Sequence, residues 1–522
     1  MKQKMEKKWV APFILAAVCL IQLCFFISVG SQKSHLMCDE LFTYGAANCR
    51  GGIMMDFPLN EWRDKGDYME YVTPGEDAFS YEIPYDNQAM DVHPPLYYYL
   101  IHTIASMYPD TFSFWTGVGL NLVLLLGCTV ALYFLVKELF GSKVCALLVS
   151  ACYGLTYGAL NTMLFIRMYM LFAVVLLLHL LVYAKYWEKP GIPKKGYLFL
   201  GLTLVAGALT QYYFLIAAFF LAAWYTIKLL LQKRWKETGC YLGTIAVSAG
   251  VSLALFPPMW NQIFHGTRGT QAQETFLMLK GYAKSLLGMF QIISSQMFRG
   301  YLGWLLGTVA VLLVIYSVWK KRLPVRELSK TLPVIFMAAG YFLLVTKVAP
   351  YITDRYMMPI YPVVFLLVFG FLYWLVRNLL KKEVISALVC AALGLFLCLP
   401  QLKGQIPGYA YSYVQPHADL LREYADKKAV YIDREFYWWE YYDIVQLMKE
   451  HDAYYVISYS RIVQEWIDSA LEATGDDDEV IVYIGNSGLD EEIKEYIQET
   501  LDAREMVLLD QYSRWTIYRA VR

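Results

Sequence analysis

The chain reads as a polytopic α-helical membrane protein with an α/β domain in its C-terminal part. Three observations predict this. Of its 522 residues, 58% are hydrophobic and only 17% charged, whereas soluble domains are about 45–50% apolar and about a quarter charged. The apolar residues gather in runs of membrane-crossing length, separated by short basic segments. After residue 400 the pattern changes to short β-rich runs alternating with helical ones.

The apolar runs fall at 9–29, 112–136, 144–163, 169–186, 197–209, 212–231, 241–257, 301–319, 332–348, 358–376 and 384–399, which makes about eleven helices. The first follows the charged start "MKQKMEKK". Its apolar stretch is too long for a signal-peptide core and no small-residue cleavage site follows, so it is expected to remain as a spanning helix. Every second connection is basic: Lys137 and Lys143; Lys185, Lys189, Lys194 and Lys195; Lys228, Lys233, Arg234 and Lys236; Lys320, Lys321, Arg322, Arg326 and Lys330; Arg377, Lys381 and Lys382. Positive charge marks the cytoplasmic side. The N-terminus is therefore expected inside, and an odd number of helices leaves the C-terminus outside.

This topology divides the chain into a transmembrane domain, 1–400, and an extracytoplasmic α/β domain, 401–522. Two outer loops, 31–111 and 260–300, interrupt the first, and the second loop holds the helix-like "ETFLMLKGYAKSLLGMF". In the C-terminal part, "KAVYID", "AYYVISYS", "EVIVYIG", "EMVLLDQY" and "WTIYRAV" read as strands with helices between them, which predicts a largely parallel sheet. Most cysteines lie inside apolar runs; Cys38 and Cys49 share the first outer loop, where a disulfide is open to them in an oxidising space. The aromatic run "FYWWEYY", Phe436 to Tyr442, is either half core or a surface for stacking on sugars. The acidic outer segments argue against nucleic acid, and no Gly-rich phosphate loop is present.

Two clusters in the first outer loop carry chemistry. Asp39 and Glu40, in "CDEL", come about ten residues after the first helix. By itself a bare acidic pair is most often a solvated helix end. Asp91 and His93, in "DVHPPLYYYL", precede Pro94 and Pro95. Each proline fixes its own φ and disfavours helix in the residue before it, so the segment enters the next helix extended. Pro95 can then sit at the first helical position. The tyrosines that follow suit a helix at the membrane interface. The plain reading is a stiff helix start with a polar cap.

Together, "DE" after the first helix and "DVHPPL" at the end of the same loop resemble the protein O-mannosyltransferases. These are part of the wider GT-C type of membrane glycosyltransferases, which also includes the aminoarabinose and galacturonic acid transferases of lipid A. The resemblance spans the first loop and the helix layout to about residue 400. It places the family's acidic pair on Asp39 and Glu40, its His-Pro-Pro-Leu on His93 to Leu96, and its basic residue after the third helix on Arg167, in "FIRMYML". "DRYMMPIYP" is similar to an Arg-Tyr-x-x-Pro stretch of bacterial members and contributes Arg355. Where the mannosyltransferases continue with Gly-Lys, this chain has Tyr97 and Tyr98, and it lacks their large luminal insertion. Both departures weigh against protein mannosylation while leaving the transferase class intact.

The resemblance implies transfer of a sugar from a polyprenyl-phosphate donor to an extracytoplasmic acceptor, with inversion. The chemistry requires a base for the acceptor's proton, a carboxylate near an oxocarbenium-like centre, and positive charge on the departing phosphate. Asp39 is the expected base, with Glu40 orienting it or sharing the role. Asp91, His93 and Tyr97 are expected at the substrate. Arg167 and Arg355 suit phosphate by their planar fork, with Lys347 beside them and Arg268 and Arg299 as weaker choices. Asp39, Glu40, Asp91 and His93 are ligand types for a divalent ion, but no close-spaced motif decides for or against a metal. The acceptor is left open between protein, lipid and wall polymer, and the setting is expected to be a bacterial plasma membrane. A secondary transporter or lipid flippase is the other reading. Charges near the helix centres and broken repeats are its usual signature, whereas here the charges cluster towards one face. A non-catalytic scaffold for a cell-wall partner is a third.

Overall fold

The computed structural model describes the chain except residues 1, 56–59, 190, 279, 326–327, 434–437, 459–463, 473, 475–476 and 486–489. Arg326, Phe436 and Tyr437 thus lie outside the described residues. All eleven apolar runs are helical. Among the described residues, eight helices are long and apolar enough to cross a membrane. A ninth span arises if Lys143–Tyr153 and Tyr157–Leu164, bent by 56°, count as one. The break between them is capped by Thr156, whose Oγ1 accepts from the Ala159 amide at 3.3 Å. The other two runs form Lys194–Thr210 and Leu332–Val348, helices of 17 residues each. At about 1.5 Å per residue these reach only about 25 Å, short of a hydrocarbon core of about 30 Å.

By contact the chain forms two compact units, with a break between Gly408 and Tyr409. The first is Met1–Ser31, Gln88–Leu100 and Trp115–Gly408; the second is Gln32–Asn87, Ile101–Phe114 and Tyr409–Arg522. Most of the first outer loop therefore belongs with the C-terminal region.

In the first unit, the span Met358–Leu380 is 72% buried and Tyr169–Tyr186 67%, against 11% for Leu302–Lys320, which separates central from peripheral helices. Trp115–Phe140 packs against Tyr169–Tyr186, Lys143–Tyr153 and the first helix, while Tyr213–Leu231 packs against Leu332–Val348. Apolar burial drives little association between helices in lipid, so polar contacts and close approach contribute more. Gln22 is one such contact. Its amide donates to the Ser150 and Ala151 carbonyls, both at 3.1 Å, and accepts from Thr129 at 2.8 Å. The helix-like stretch of the second outer loop is broken. Thr267–Leu277 and Tyr282–Phe298 are separate helices, with Gly281 between them at φ 83°, a backbone region that glycine enters freely.

The second unit is built on a six-stranded sheet in the order β1-β3-β2-β4-β6-β5: β1 Trp62–Arg63, β2 Ala429–Asp433, β3 Tyr454–Ser458, β4 Glu479–Gly485, β5 Glu505–Tyr512 and β6 Trp515–Val521. All five expected strands are present. The sheet is mixed, however, not largely parallel. Only β3, β2 and β4 run parallel, because helical crossovers join them. β5 and β6 form a hairpin closed at Tyr512 and Trp515, which forces antiparallel pairing on to β4. The sixth strand, β1, comes from the first outer loop and pairs antiparallel with β3. Val430, Ile432, Ile457, Val482, Ile484 and Ile497 form its core.

Cys38 and Cys49 stand at opposite ends of the helix Cys38–Asn48. Eleven residues of helix hold them about 16 Å apart, more than twice the reach of a disulfide. The bridge left open by the sequence does not form.

Candidate active site

In the first unit, the segment 91–98 meets the turn between two buried helices. His93 Nδ1 lies 2.8 Å from Asp91 Oδ2, and Arg167 approaches His93 Nε2 at 3.4 Å while donating to the Tyr98 hydroxyl at 3.1 Å. A guanidinium has no lone pair to accept with. Nε2 is therefore the acceptor, and the imidazole proton sits on Nδ1, facing Asp91. Burial pushes the Asp91 carboxyl up, but its interactions with His93, the Val92 amide and Arg167 outweigh it and leave it below its ordinary value of 3.8. Arg167 is only 5% exposed.

Local structure explains why these groups coincide. Pro94 and Pro95 lead into the helix Leu96–Ala105, as the sequence predicts. Tyr97 and Tyr98 leave it in different directions. The Tyr97 hydroxyl donates to Asn121 Oδ1 at 3.0 Å, and Asn121 Nδ2 donates to the Met163 and Phe165 carbonyls at 3.1 and 2.9 Å. Tyr97 is fully buried and braces the turn that carries Arg167, whereas Tyr98 touches Arg167 itself. On the other side, Gln262 Nε2 donates to the Gln88 and Asp91 carbonyls at 2.6 and 2.8 Å, and its Oε1 accepts from Tyr212 at 2.5 Å. The Gln88 side-chain amide is itself fully buried, with no hydrogen-bond partner for either atom among the described residues. Sequence reasoning singled out Tyr98 only as a departure from the motif, and did not reach Gln88 and Gln262. One signal was available for the last: it lies on Pro258–Phe264, a second helix that a Pro-Pro pair introduces into an outer loop.

Arg355 and Arg268 lie on the same ring, each 5.9 Å from the Tyr351 centroid, and Arg355 is also 5.3 Å from Tyr356. Lys347 is nearly buried; its ammonium donates to the Met278 carbonyl and stands 5.1 Å from the Tyr282 ring. Arg299 donates to the Phe396 carbonyl at 2.8 Å and covers that ring. Both are tied to their own unit by these contacts.

The helix Pro258–Phe264 also lines an apolar cavity of about 390 Å³, within the size range of ligand pockets. Tyr183, Leu204, Ala218, Ile245, Met259 and Ile263 are among its walls.

In the second unit, Asp39 and Glu40 occupy the first turn of Cys38–Asn48, where carboxylates are favoured by the helix dipole. Asp39 is half-buried. Glu40 is fully buried against Lys33 Nζ, at 2.7 and 2.9 Å to its two oxygens. In the aromatic run, Tyr441 and Tyr442 are core residues, and the Tyr442 hydroxyl accepts the Met55 amide at 2.5 Å. Among the described residues, no three His, Cys, Asp or Glu side chains group as metal ligands.

The chain combines a helical bundle with a C-terminal sheet region. No family model matches the chain, and no curated protein matches it. Among solved structures it is similar to ArnT from Cupriavidus metallidurans. The apo form superposes with a TM-score of 0.55 at 10% identity, covering 99% of this chain and 98% of that one. The form bound to undecaprenyl phosphate gives 0.53 at 11% identity, with 98% of each chain covered. The likeness is one of fold.

Proposed function

We propose that the protein is a membrane glycosyltransferase that moves a sugar from a polyprenyl-phosphate donor to an acceptor outside the cytoplasm. The observation that carries this reading is Arg167. An arginine held almost wholly out of water, steadied by His93 and Tyr98 and braced through Asn121, suits an anion that arrives from the lipid phase. The similarity in fold to ArnT, solved in one form with undecaprenyl phosphate, supports the same class of donor. The apolar cavity supports it as well, since a polyprenyl chain needs an apolar bed.

In this reading Asp39 takes the proton from the acceptor hydroxyl as its oxygen bonds to the anomeric carbon. The bond from that carbon to the phosphate oxygen breaks, and its electron pair leaves with the polyprenyl phosphate. Attack opposite the leaving group inverts the centre. Arg167, with Arg355 and Arg268 as a second basic pair, meets the charge that builds on the phosphate. Asp91 keeps the His93 proton on Nδ1, which leaves Nε2 to steady Arg167. Gln88, whose unpaired burial costs about 1–3 kcal/mol per group, gains a partner when a donor oxygen reaches its amide.

The test is reconstitution in liposomes, without ion gradients, with labelled undecaprenyl-phosphate mannose, glucose and arabinose and with acceptor lipids and polymer from the host envelope. Transfer that disappears in Asp39→Asn and Arg167→Leu is the expected result. Movement of label across the bilayer with no product would favour a flippase instead. Mass analysis of surface polymers from cells with and without the protein identifies the acceptor.

A further inference from the structure

Asp39 and Glu40 are adjacent in sequence, but their carboxylates face different surroundings. A general base must present a lone pair to the acceptor's proton. Glu40 is fully buried, binds Lys33 through both oxygens, and accepts the Met37 amide at 2.8 Å on Oε2. Asp39 keeps partial access to solvent. Lys33 is as buried as its partner and donates a further hydrogen bond to the Tyr409 carbonyl at 2.7 Å.

Lys33 also begins a continuous seam. The Ser34 amide donates to the Ala410 carbonyl at 2.9 Å and its hydroxyl to the Tyr411 carbonyl at 2.6 Å. His35 Nε2 lies 2.5 Å from Asp443 Oδ1. Gln446 closes a two-way bond with the Leu36 backbone, accepting its amide at 3.0 Å and donating to its carbonyl at 2.9 Å. Four consecutive residues, ending two positions before the helix Cys38–Asn48, are thus fixed by chain 376 or more residues away.

We propose that Glu40 is a positioning residue, and that the Lys33–Glu40 pair and the seam beside it make the C-terminal region the frame that aims Asp39. This rests on Asp39 being the base. Breaking one partner of a buried ion pair leaves an uncompensated charge, whereas neutralising both with side chains of similar shape is tolerated. That asymmetry separates the positioning role from catalysis.

The test compares Lys33→Met, Glu40→Gln, the double variant Lys33→Met/Glu40→Gln, and Asp39→Asn, each as the full chain in nanodiscs. Turnover is read with a mixture of undecaprenyl-phosphate mannose, glucose and arabinose, and amide exchange is followed over 33–48 and 409–411. Lys33→Met is expected to lower kcat at least tenfold, leave the donor KM unchanged and raise exchange in both segments. The double variant should restore native exchange and bring kcat within tenfold of the parent, while Asp39→Asn loses about a thousandfold with exchange unchanged. If Lys33→Met does not fold, Ser34→Ala replaces it, with a smaller kcat loss and the same exchange signature. A double variant with native exchange but no more activity than Asp39→Asn would overturn the proposal, because Glu40 would then act chemically. Full activity in Asp39→Asn would instead remove the base assignment, and the exchange pattern alone would then decide whether the pair holds the helix.

Discussion

At the scale of single residues, the proposed chemistry centres on Arg167. A lysine in its place keeps the charge but not the fork that reaches Tyr98 and His93 together. Arg167→Lys is therefore expected to lose about a hundredfold in kcat and Arg167→Leu more, measured with labelled donor in liposomes. Asp91 offers a pH test. Its carboxyl is held below 3.8, so the stabilisation it gives is complete above that value and lost as pH falls through the depressed one. Melting curves from pH 6 down to pH 3 should show the parent losing its advantage over Asp91→Asn only at the acid end; a constant difference would refute the linkage. Tyr97 and Tyr98, side by side after the Pro-Pro pair, part ways: the Tyr97 hydroxyl donates to Asn121, and the Tyr98 hydroxyl accepts from Arg167.

Among the elements, close approach places the Arg167 turn. A Cβ on Gly117 would stand 2.1 Å from Ile166 Cγ2, so the helix Trp115–Phe140 can approach the turn only with glycine there. Gly117→Ala is expected to cost about 1–3 kcal/mol and, by displacing the residue next to Arg167, to lower turnover more than Gly119→Ala, which meets only a ring carbon at 3.9 Å. The helix Pro258–Phe264 has a face towards each of two tasks: Gln262 fixes the Asp91 segment, and Met259 and Ile263 line the apolar cavity. Narrowing that cavity with Ala218→Trp should raise KM for an undecaprenyl donor and leave a short-chain prenyl donor unaffected. Equal losses on both donors would show that the cavity does not hold the chain.

For the whole molecule, the alternation of basic connections makes a test of orientation. A C-terminal epitope tag should be accessible to antibody on intact spheroplasts, and an N-terminal one only after permeabilisation. The spans and strands were legible because hydrophobic length and period are local properties. The run 144–163 reads as one helix, and the structure breaks it after Tyr153, where Thr156 caps the second piece. Hydrophobic length carries nothing about where the polar loop 31–111 finds its partners. Two residues, Trp62 and Arg63, give the sheet its sixth strand, too short a run for any periodicity to register.

By itself the sequence determined the membrane class, the helical runs and the five C-terminal strands, and it supplied the candidates Asp39, Glu40, Asp91, His93, Arg167 and Arg355. Each is set by composition, by period or by a motif a few residues long. Only the tertiary structure decided that Glu40 is buried on Lys33, that Tyr98 meets Arg167, that Gln262 holds the Asp91 backbone, and that the first outer loop folds with the C-terminal region. Those are contacts between residues tens to hundreds of positions apart. They depend on which surfaces must bury together, and no local stretch of sequence encodes that.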